Sequence, residues 1–384
     1  MEEWKEYKLE EVCSRLRSGK GIKSDCISNI GLFPVIGGNG MRGYTNKSNF
    51  KGECAVIGRQ GANCGNVRFF MGEAYMTEHA VVAVGNELAD SYFLARLLSL
   101  MHLGNLSAQS AQPGLSIQTL SKQIIRLPSI SYQREISTVL KSLDNKIELN
   151  RRINDNLEQQ AQALFKSWFV DNPDFNWANT SLSEVASFVG GYSYKSEELT
   201  DFSNVAMATI KNFGRNRGFK AEGFKGINPS AKLKECHYVN LFDILVAHTD
   251  LTQNADVIGN AELLLTCGKY NSIIFSMDLV KVLPKEIFPY RFLLAAMLKN
   301  KMFKGHCRGY INGTTVLHLN KKALPEFEIR KPSDSEAKIM NETLAPYYKR
   351  MAKLLQETDK LISLRDMLLP KLMSGEVKIN ETNN

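Results

Sequence analysis

The sequence repeats itself, and the repeat constrains the fold more than any single motif does. Trp4, Leu9, Glu11 and Val12 return as Trp177, Leu182, Glu184 and Val185, each 173 positions later. After a one-residue gap, SGKGIKS (18–24) faces GGYSYKS (190–196). Each copy ends in a long amphipathic run that follows a proline, Pro128 in the first and Pro332 in the second, 204 positions apart. Both prolines precede a serine and a charged turn, a combination that starts helices.

In the first run Ile136, Leu140, Leu143, Ile147, Asn150, Asn154, Leu157, Ala161, Leu164 and Trp168 fall at alternating steps of four and three. Adding 204 gives Met340, Leu344, Tyr347, Met351, Leu354, Thr358, Leu361, Arg365, Leu368 and Leu372, with the phase unbroken. A seven-residue period of this kind is a coiled-coil seam. A helix of ~38 residues is ~57 Å long, more than a globular domain of ~130 residues can bury alone. The two helices are therefore expected to pair with each other, antiparallel because a whole domain separates them. Asn150 and Asn154 either set the register of the seam or mark a solvated end of it. Pro346 should kink the second helix or loosen one turn.

The expected fold is α+β: two pseudo-repeated β-rich domains joined by two long antiparallel coiled-coil helices. The first domain spans 1–130, the central helix and linker 131–172, the second domain 173–331, the last helix 332–375 and a tail 376–384. Strand candidates are ECAVIG (53–58), AVVAV (80–84), DILVA (243–247) and SIIFSM (272–277), all rich in β-branched or aromatic residues. DSYFLARLLSLM (90–101) and PYRFLLAAMLKN (289–300) read as short amphipathic helices at corresponding places in the two copies.

Enzyme signatures fail on context. Gly38-x-Gly40-x-x-Gly43 has the spacing of a dinucleotide-binding fingerprint, and the short strand FPVIG precedes it. The fingerprint needs a helix next, but YTNKSNFKGE is full of turn formers. DNPDF (171–175) resembles the Asn-Pro-Pro-Tyr type of motif with which amino-methyltransferases grip a target amine. Asp174 replaces its second proline, and a helix-ending linker explains the segment better. The six histidines, His79, His102, His237, His248, His306 and His318, show no metal spacing, and no carboxylate cluster suits Mg²⁺. Seven scattered cysteines form no CxxC pair, which points to reduced thiols and a cytoplasmic setting. The chain opens without an apolar signal segment and has no run of ~18 apolar residues to cross a membrane.

The net charge is +8, which favours a polyanionic partner. Each copy also carries loops dense in Arg, Lys, Asn, Gln, Tyr and Gly. In the first these are 37–49, 58–68 and 107–114, with Asn39, Arg42, Tyr44, Lys47, Arg59, Gln60, Asn63, Arg68 and Gln112 as candidate DNA contacts. In the second they are 211–220, 248–256 and 307–315, with Lys211, Asn212, Arg215, Arg217, Thr249, Gln253, Arg308, Tyr310 and Asn312. Arg and Lys read guanine edges, while Asn and Gln read adenine. Glycine lets the backbone approach phosphates closely. One such loop would be an ordinary solvated turn; its recurrence in both copies carries the argument.

These features resemble the specificity (S) subunits of type I restriction–modification systems. FPVIGGNGMRGYT, AVIGRQGANCGNV, FDILVAHTDLT and INGTTVLHLNKKAL resemble the family's target-recognition segments. LFKSWFVDNPDF and SLRDMLLPKLMSGEV resemble the ends of its central and C-terminal helices. The resemblance implies a non-catalytic chain whose two recognition domains each read half of a split DNA target. The helix pair would set the spacer and dock two methyltransferase (M) subunits. S-adenosylmethionine, ATP and Mg²⁺ would then bind the M subunits and the restriction (R) subunits, and this chain would bind no cofactor. Two other readings stand beside it: an enzyme, disfavoured by the missing motifs, and a coiled-coil adaptor or the specificity part of another restriction or methylation class.

Overall fold

In the computed structural model, which describes residues 3–107, 114–174, 176–215 and 218–379, the chain forms two units. One comprises Met1–Asn145 with Ile362–Asn384; the other is Lys146–Leu361. The first is built from β1 (Lys5–Lys8), β2 (Cys13–Ser18), β3 (Phe33–Gly37), β4 (Gly40–Thr45), β5 (Phe50–Gly58), β6 (Val67–Met76), β7 (Ala80–Gly85), α1 (Ser91–Leu100), α2 (Ile117–Ser121), β8 (Ile124–Leu127) and the start of α3 (Ile130–Lys166). Six strands make one sheet in the order β2-β7-β5-β6-β3-β4, and β1 pairs antiparallel with β8. AVVAV is apolar throughout because both faces of β7 are covered. Val81 and Ala83 join Ala55, Ile57 and Phe93 in one core, while Ala80 and Val82 join Phe50, Cys54 and Met76 in another. Asp90 starts α1 by accepting the Phe93 amide at 2.9 Å.

The second unit contains β9 (Ala178–Ser181), α4 (Leu182–Val185), β10 (Ala186–Gly190), β11 (Val205–Ala208), β12 (Lys225–Gly226), β13 (Tyr238–Val239), β14 (Ile244–Ala247), β15 (Thr249–Asp250), β16 (Ala261–Leu263), β17 (Ser272–Phe275), β18 (Leu279–Pro284), α5 (Arg291–Leu298), α6 (Lys301–Arg308), β19 (Ile311–Asn312), β20 (Leu317–Leu319), β21 (Glu328–Lys331) and the start of α7 (Asp334–Ser374). Its sheets run β10-β18-β14-β16, β12-β11-β17-β13 and β15-β20-β19, with β9 paired to β21.

The duplication holds to single-residue register. The pair Lys5↔Leu127 of β1–β8 becomes Ala178↔Lys331 of β9–β21, shifted by the same 173 and 204 positions seen in the sequence. Ile36↔Met76 becomes Ala208↔Phe275, in both cases in a parallel pair flanked by an antiparallel one. Gly19 and Gly191 also correspond. A Cβ on either would stand 2.1 or 2.0 Å from a backbone oxygen, of Met76 or Ser276, so only glycine lets these strands cross so closely.

The long runs form helices of 37 and 41 residues. In the first unit Ile136 and Leu140 of α3 share a buried cluster with Leu369 and Leu372 of α7. Asp144 lies 3.1 Å from Arg365 and also meets Tyr92 and Arg96, which explains an arginine at a seam position. In the second unit Asn150 donates to Glu357 and Thr358 at 3.1 and 3.4 Å. Ile147, Leu344, Met351 and Leu354 are buried, while Leu143, Leu157, Leu164, Met340, Tyr347, Leu361 and Leu368 are only half-buried. At three of these positions the next residue is the buried one: Phe165, Tyr348 and Leu369. In each unit both helices also pack on the globular part, as where Tyr348 of α7 stacks on Phe292 of α5, so the buried arc is wider than a two-position seam. Pro346 does not interrupt α7; it sits exposed on the solvent side.

Asn154 is 8% exposed, and neither amide atom has a protein partner among the described residues. Asn154→Leu is expected to raise the unfolding free energy by about 1–2 kcal/mol, the cost of an unpaired buried amide. Urea denaturation checks it, and a fall in stability would mean that the amide has a partner worth keeping.

The second unit also buries a three-residue ion cluster. Lys299 Nζ, at the end of α5, lies 3.1 Å from Glu158 of α3 and 2.5 Å from Glu262 of β16, with the Lys299 side chain 5% exposed.

Candidate nucleic-acid interface

The glycine pattern at 38–43 belongs to a β-hairpin. β3 leads into a turn at Gly38 and Asn39 and then into β4, with no helix following. Its glycines serve close packing of remote loops. A Cβ on Gly38 would meet His79 O at 2.6 Å and Gly58 Cα at 3.1 Å, and one on Gly40 would meet Arg68 Nη1 at 2.3 Å. The Arg59 amide donates to His79 O at 3.0 Å, and Leu115 N to Arg59 O at 2.9 Å. Gln60 bridges to Gly114. Loops 37–43 and 58–68 and the chain at 114–115 thus meet at one end of the sheet.

Asn39, Arg42, Gln60 and Arg68 are exposed there, with Arg59 and Asn63 half-buried. Arg59 donates to Ser18 Oγ at 3.5 Å. Arg42 and Arg68 have no carboxylate within ion-pair distance among the described residues. Tyr44 and Lys47 lie apart from this cluster. The Tyr44 backbone is paired with Ser28, four residues along β4 from Gly40, or about 13 Å at strand rise. Gln112 lies outside the described residues.

The second unit assembles its three loops by different contacts. Asn260 Nδ2 donates to Gly214 O at 2.9 Å, and Gly218 N to Glu262 Oε1 at 2.7 Å. Arg215 stands 3.8 Å from Asp256. Gln253 Nε2 donates to Thr314 O at 2.6 Å, and β20 pairs with both β15 and β19. Asp250 shapes the middle loop by accepting the Thr252 and Val257 amides, each at 2.8 Å. Lys211, Arg215, Gln253, Arg308 and Asn312 are exposed. Tyr310 is half-buried and donates to Glu326 at 2.7 Å, which pushes its pKa up. Arg217 lies outside the described residues.

Two residues expected at the surface are interior. Asn212 is fully buried: it accepts from Thr209 N and donates to Lys220 O, each at 2.8 Å, closing its own loop. Thr249, 4% exposed, donates to Asp278 at 3.0 Å. Asn has the chemistry of a base reader and of a turn-closing residue alike, so sequence alone did not separate them. Conversely, Asp250, Asn260 and Glu262 were missed. The one available signal was a charge inside the apolar strand Ala261–Leu263.

DNPDF ends the central helix. Lys166 pairs with Asp171 at 2.6 Å, Asn172 Nδ2 donates to Ser167 O at 3.2 Å, and Asp174 accepts the Asn176 amide at 2.8 Å; Phe175 lies outside the described residues. A cavity of about 500 Å³ in the second unit is lined by Phe165, Val170, Ala296, Met302 and Tyr348 among others, and by none of the loop candidates. Among the described residues no group of His, Cys, Asp and Glu could hold a metal, and no helix is long and apolar enough to cross a membrane.

Residues 1–159 match the family model of the type I restriction modification DNA specificity domain. The chain is 37% identical over 134 residues to the EcoprrI specificity subunit of Escherichia coli, an alignment covering 34% of this chain and 33% of that one. It thus spans about a third of the length of that relative. It is 25% identical over 327 residues to the HindI specificity subunit of Haemophilus influenzae, covering 69% of this chain and 71% of the relative. Its fold is similar to that of a type I system S subunit from M. genitalium, with a TM-score of 0.59, 17% identity and coverage of 99% and 97%. With the duplicated architecture and the two long helices, these matches make the chain similar to type I restriction–modification specificity subunits, the domain match lying in residues 1–159.

Proposed function

We propose that this chain is the non-catalytic DNA-reading subunit of a methylating and restricting complex, with each unit reading one half of a bipartite target. One observation carries the reading: in each unit polar loops remote in sequence are drawn together, by close backbone approach in the first and by side-chain hydrogen bonds to backbone in the second, and present Arg, Asn and Gln to solvent. Preorganised guanidinium and amide groups of this kind suit base edges in the major groove, and the remaining lysines suit phosphates. The contacts of α3 with α7 in each unit support an antiparallel coiled coil that sets the spacer between half-sites and docks two M subunits. S-adenosylmethionine, ATP and Mg²⁺ belong on the M and R subunits.

Arg42→Ala and Arg68→Ala test it. Each should weaken binding roughly 5- to 150-fold, the equivalent of about 1–3 kcal/mol for a bidentate base contact, and relax one half of the methylated motif. Mapping methylated adenines in cells carrying each variant complex reads the outcome. Relaxation of both halves, or of neither, sinks the two-reader scheme.

A further inference from the structure

The cavity of about 500 Å³ in the second unit corresponds to a place that the first unit fills with arginines. The shift of 204 between the long helices carries Asp144 of α3 onto Tyr348 of α7, and Ala161 of α3 onto Arg365 of α7. A shift of 200 carries the first residue of α1 onto that of α5, hence Tyr92 onto Phe292 and Arg96 onto Ala296. The contacts agree. Tyr92 meets Asp144, and Phe292 stacks on Tyr348 with ring centroids 5.8 Å apart. In the first unit Arg96 and Arg365 both reach Asp144, and Arg96 lies over the Tyr92 ring at 5.0 Å. Both arginines become alanines in the second unit, Ala296 and Ala161, and both alanines are buried. Two long side chains are thus missing from this copy, and Ala296 lines the space that is left.

The cavity has one polar group at depth. Tyr348 is 1% exposed, and its hydroxyl has no hydrogen-bond partner among the described residues. That oxygen is not sealed by protein atoms, so it opens onto the cavity that Tyr348 lines. A buried hydroxyl without a partner offers a place to an acceptor. The walls are apolar, with Phe165, Ala163 and Ala296, and the rim carries Val170 and Met302, 50% and 67% exposed. A thioether at the rim adapts its shape to what enters. Apolar walls around a single convergent polar group, at this volume, are the make-up of a small-molecule site.

The charges choose the ligand. Lys299 stands 5.9 Å from the centre of the Tyr348 ring, between Glu158 and Glu262. One ammonium against two carboxylates leaves this end of the cavity net negative, which repels phosphates and carboxylates. At the rim Lys166 is paired with Asp171, and Lys301 is exposed to solvent. Burial, then Glu158, holds the Tyr348 hydroxyl in its protonated form, so it donates. The rings of Phe165 and Tyr348 suit an aromatic occupant.

We propose that this cavity binds a small neutral aromatic heterocycle whose ring acceptor takes a hydrogen bond from the Tyr348 hydroxyl, and that Arg96 and Arg365 deny the first unit such a site. A ligand seated there touches α3, α5, α6 and α7 at once. The inference is independent of the DNA-reading role and is tested without DNA.

The probes are quinoline, a neutral fused ring with an acceptor nitrogen, and naphthalene, its isostere without one. Each is titrated into the full chain and followed by saturation-transfer NMR. Quinoline should bind with a Kd below about 1 mM and roughly 5-fold more tightly than naphthalene, the worth of one hydrogen bond. Tyr348→Phe should erase that preference and leave naphthalene binding unchanged. Ala296→Met, which puts a side chain back into the space, should weaken both probes roughly 10-fold or more. Should thermal melting show the methionine variant to be poorly folded, the Tyr348→Phe comparison decides alone. The proposal is overturned by no binding of either probe at about 1 mM, by equal affinity for the two, or by a preference for quinoline that survives Tyr348→Phe. Undiminished binding to a folded Ala296→Met chain overturns it as well, because the probes then sit elsewhere.

Discussion

Lys299→Met should lower the unfolding free energy of the step that melts the second unit by about 3–5 kcal/mol, the cost of leaving a buried charge without its partner. The ammonium is held between Glu158 and Glu262, and its side chain and that of Glu262 are 5% and 4% exposed. Removing it leaves two carboxylates facing each other beside Tyr348. Burial opposes the charged form of Lys299, but Glu158 and Glu262 outweigh it and raise its pKa above the ordinary lysine value. A raised pKa gives stability that is full below the unfolded value and declines as pH rises through the folded one. The cluster is therefore charged and intact across the neutral range, and the loss appears at neutral pH. Adding Glu158→Gln and Glu262→Gln to the methionine variant should restore most of the stability, because no bare carboxylate remains. Urea denaturation of the single and triple variants decides it. A loss under about 1 kcal/mol, within the range of exposed ion pairs, would show that the cluster is solvated.

Four residues inserted after Asn150 should retarget the complex. They lengthen α3 by about 6 Å and turn its phase by 400°, about 40° from where it began, so the apolar stripe still faces inward. At 3.4 Å per base pair, 6 Å is about two base pairs. Methylation at the original motif should disappear and reappear where the half-sites stand about two base pairs further apart. Sequencing of methylated adenines reads this directly. An unchanged spacer would detach the helices from any measuring role.

Much of the fold was legible because it rests on period and offset. The strands around Ala55, Val82, Val246 and Ile274 are apolar on both faces, and the long helices carry an unbroken seven-residue period. What period does not encode is which neighbour of a seam residue faces the globular part of its unit. Phe165, Tyr348 and Leu369 were therefore displaced by one from Leu164, Tyr347 and Leu368. The loops were legible as composition but not as geometry. Nothing local distinguishes Asn212, which closes its own turn, from Asn39, which stands at a hairpin tip.

The crossings at Gly19 and Gly191 carry a consequence for how such a chain can change. Both are fixed by backbone against backbone, so no alternative side chain relieves a substitution there. The exposed loop residues lie outside every apolar cluster, where most replacements shift stability by no more than about 0.5 kcal/mol. Tolerance to mutation is thus divided sharply between a frame that accepts almost nothing and tips that accept almost anything. On the proposed DNA-reading role of the tips, new targets can then be sampled by drift there without passing through unfolded ancestors.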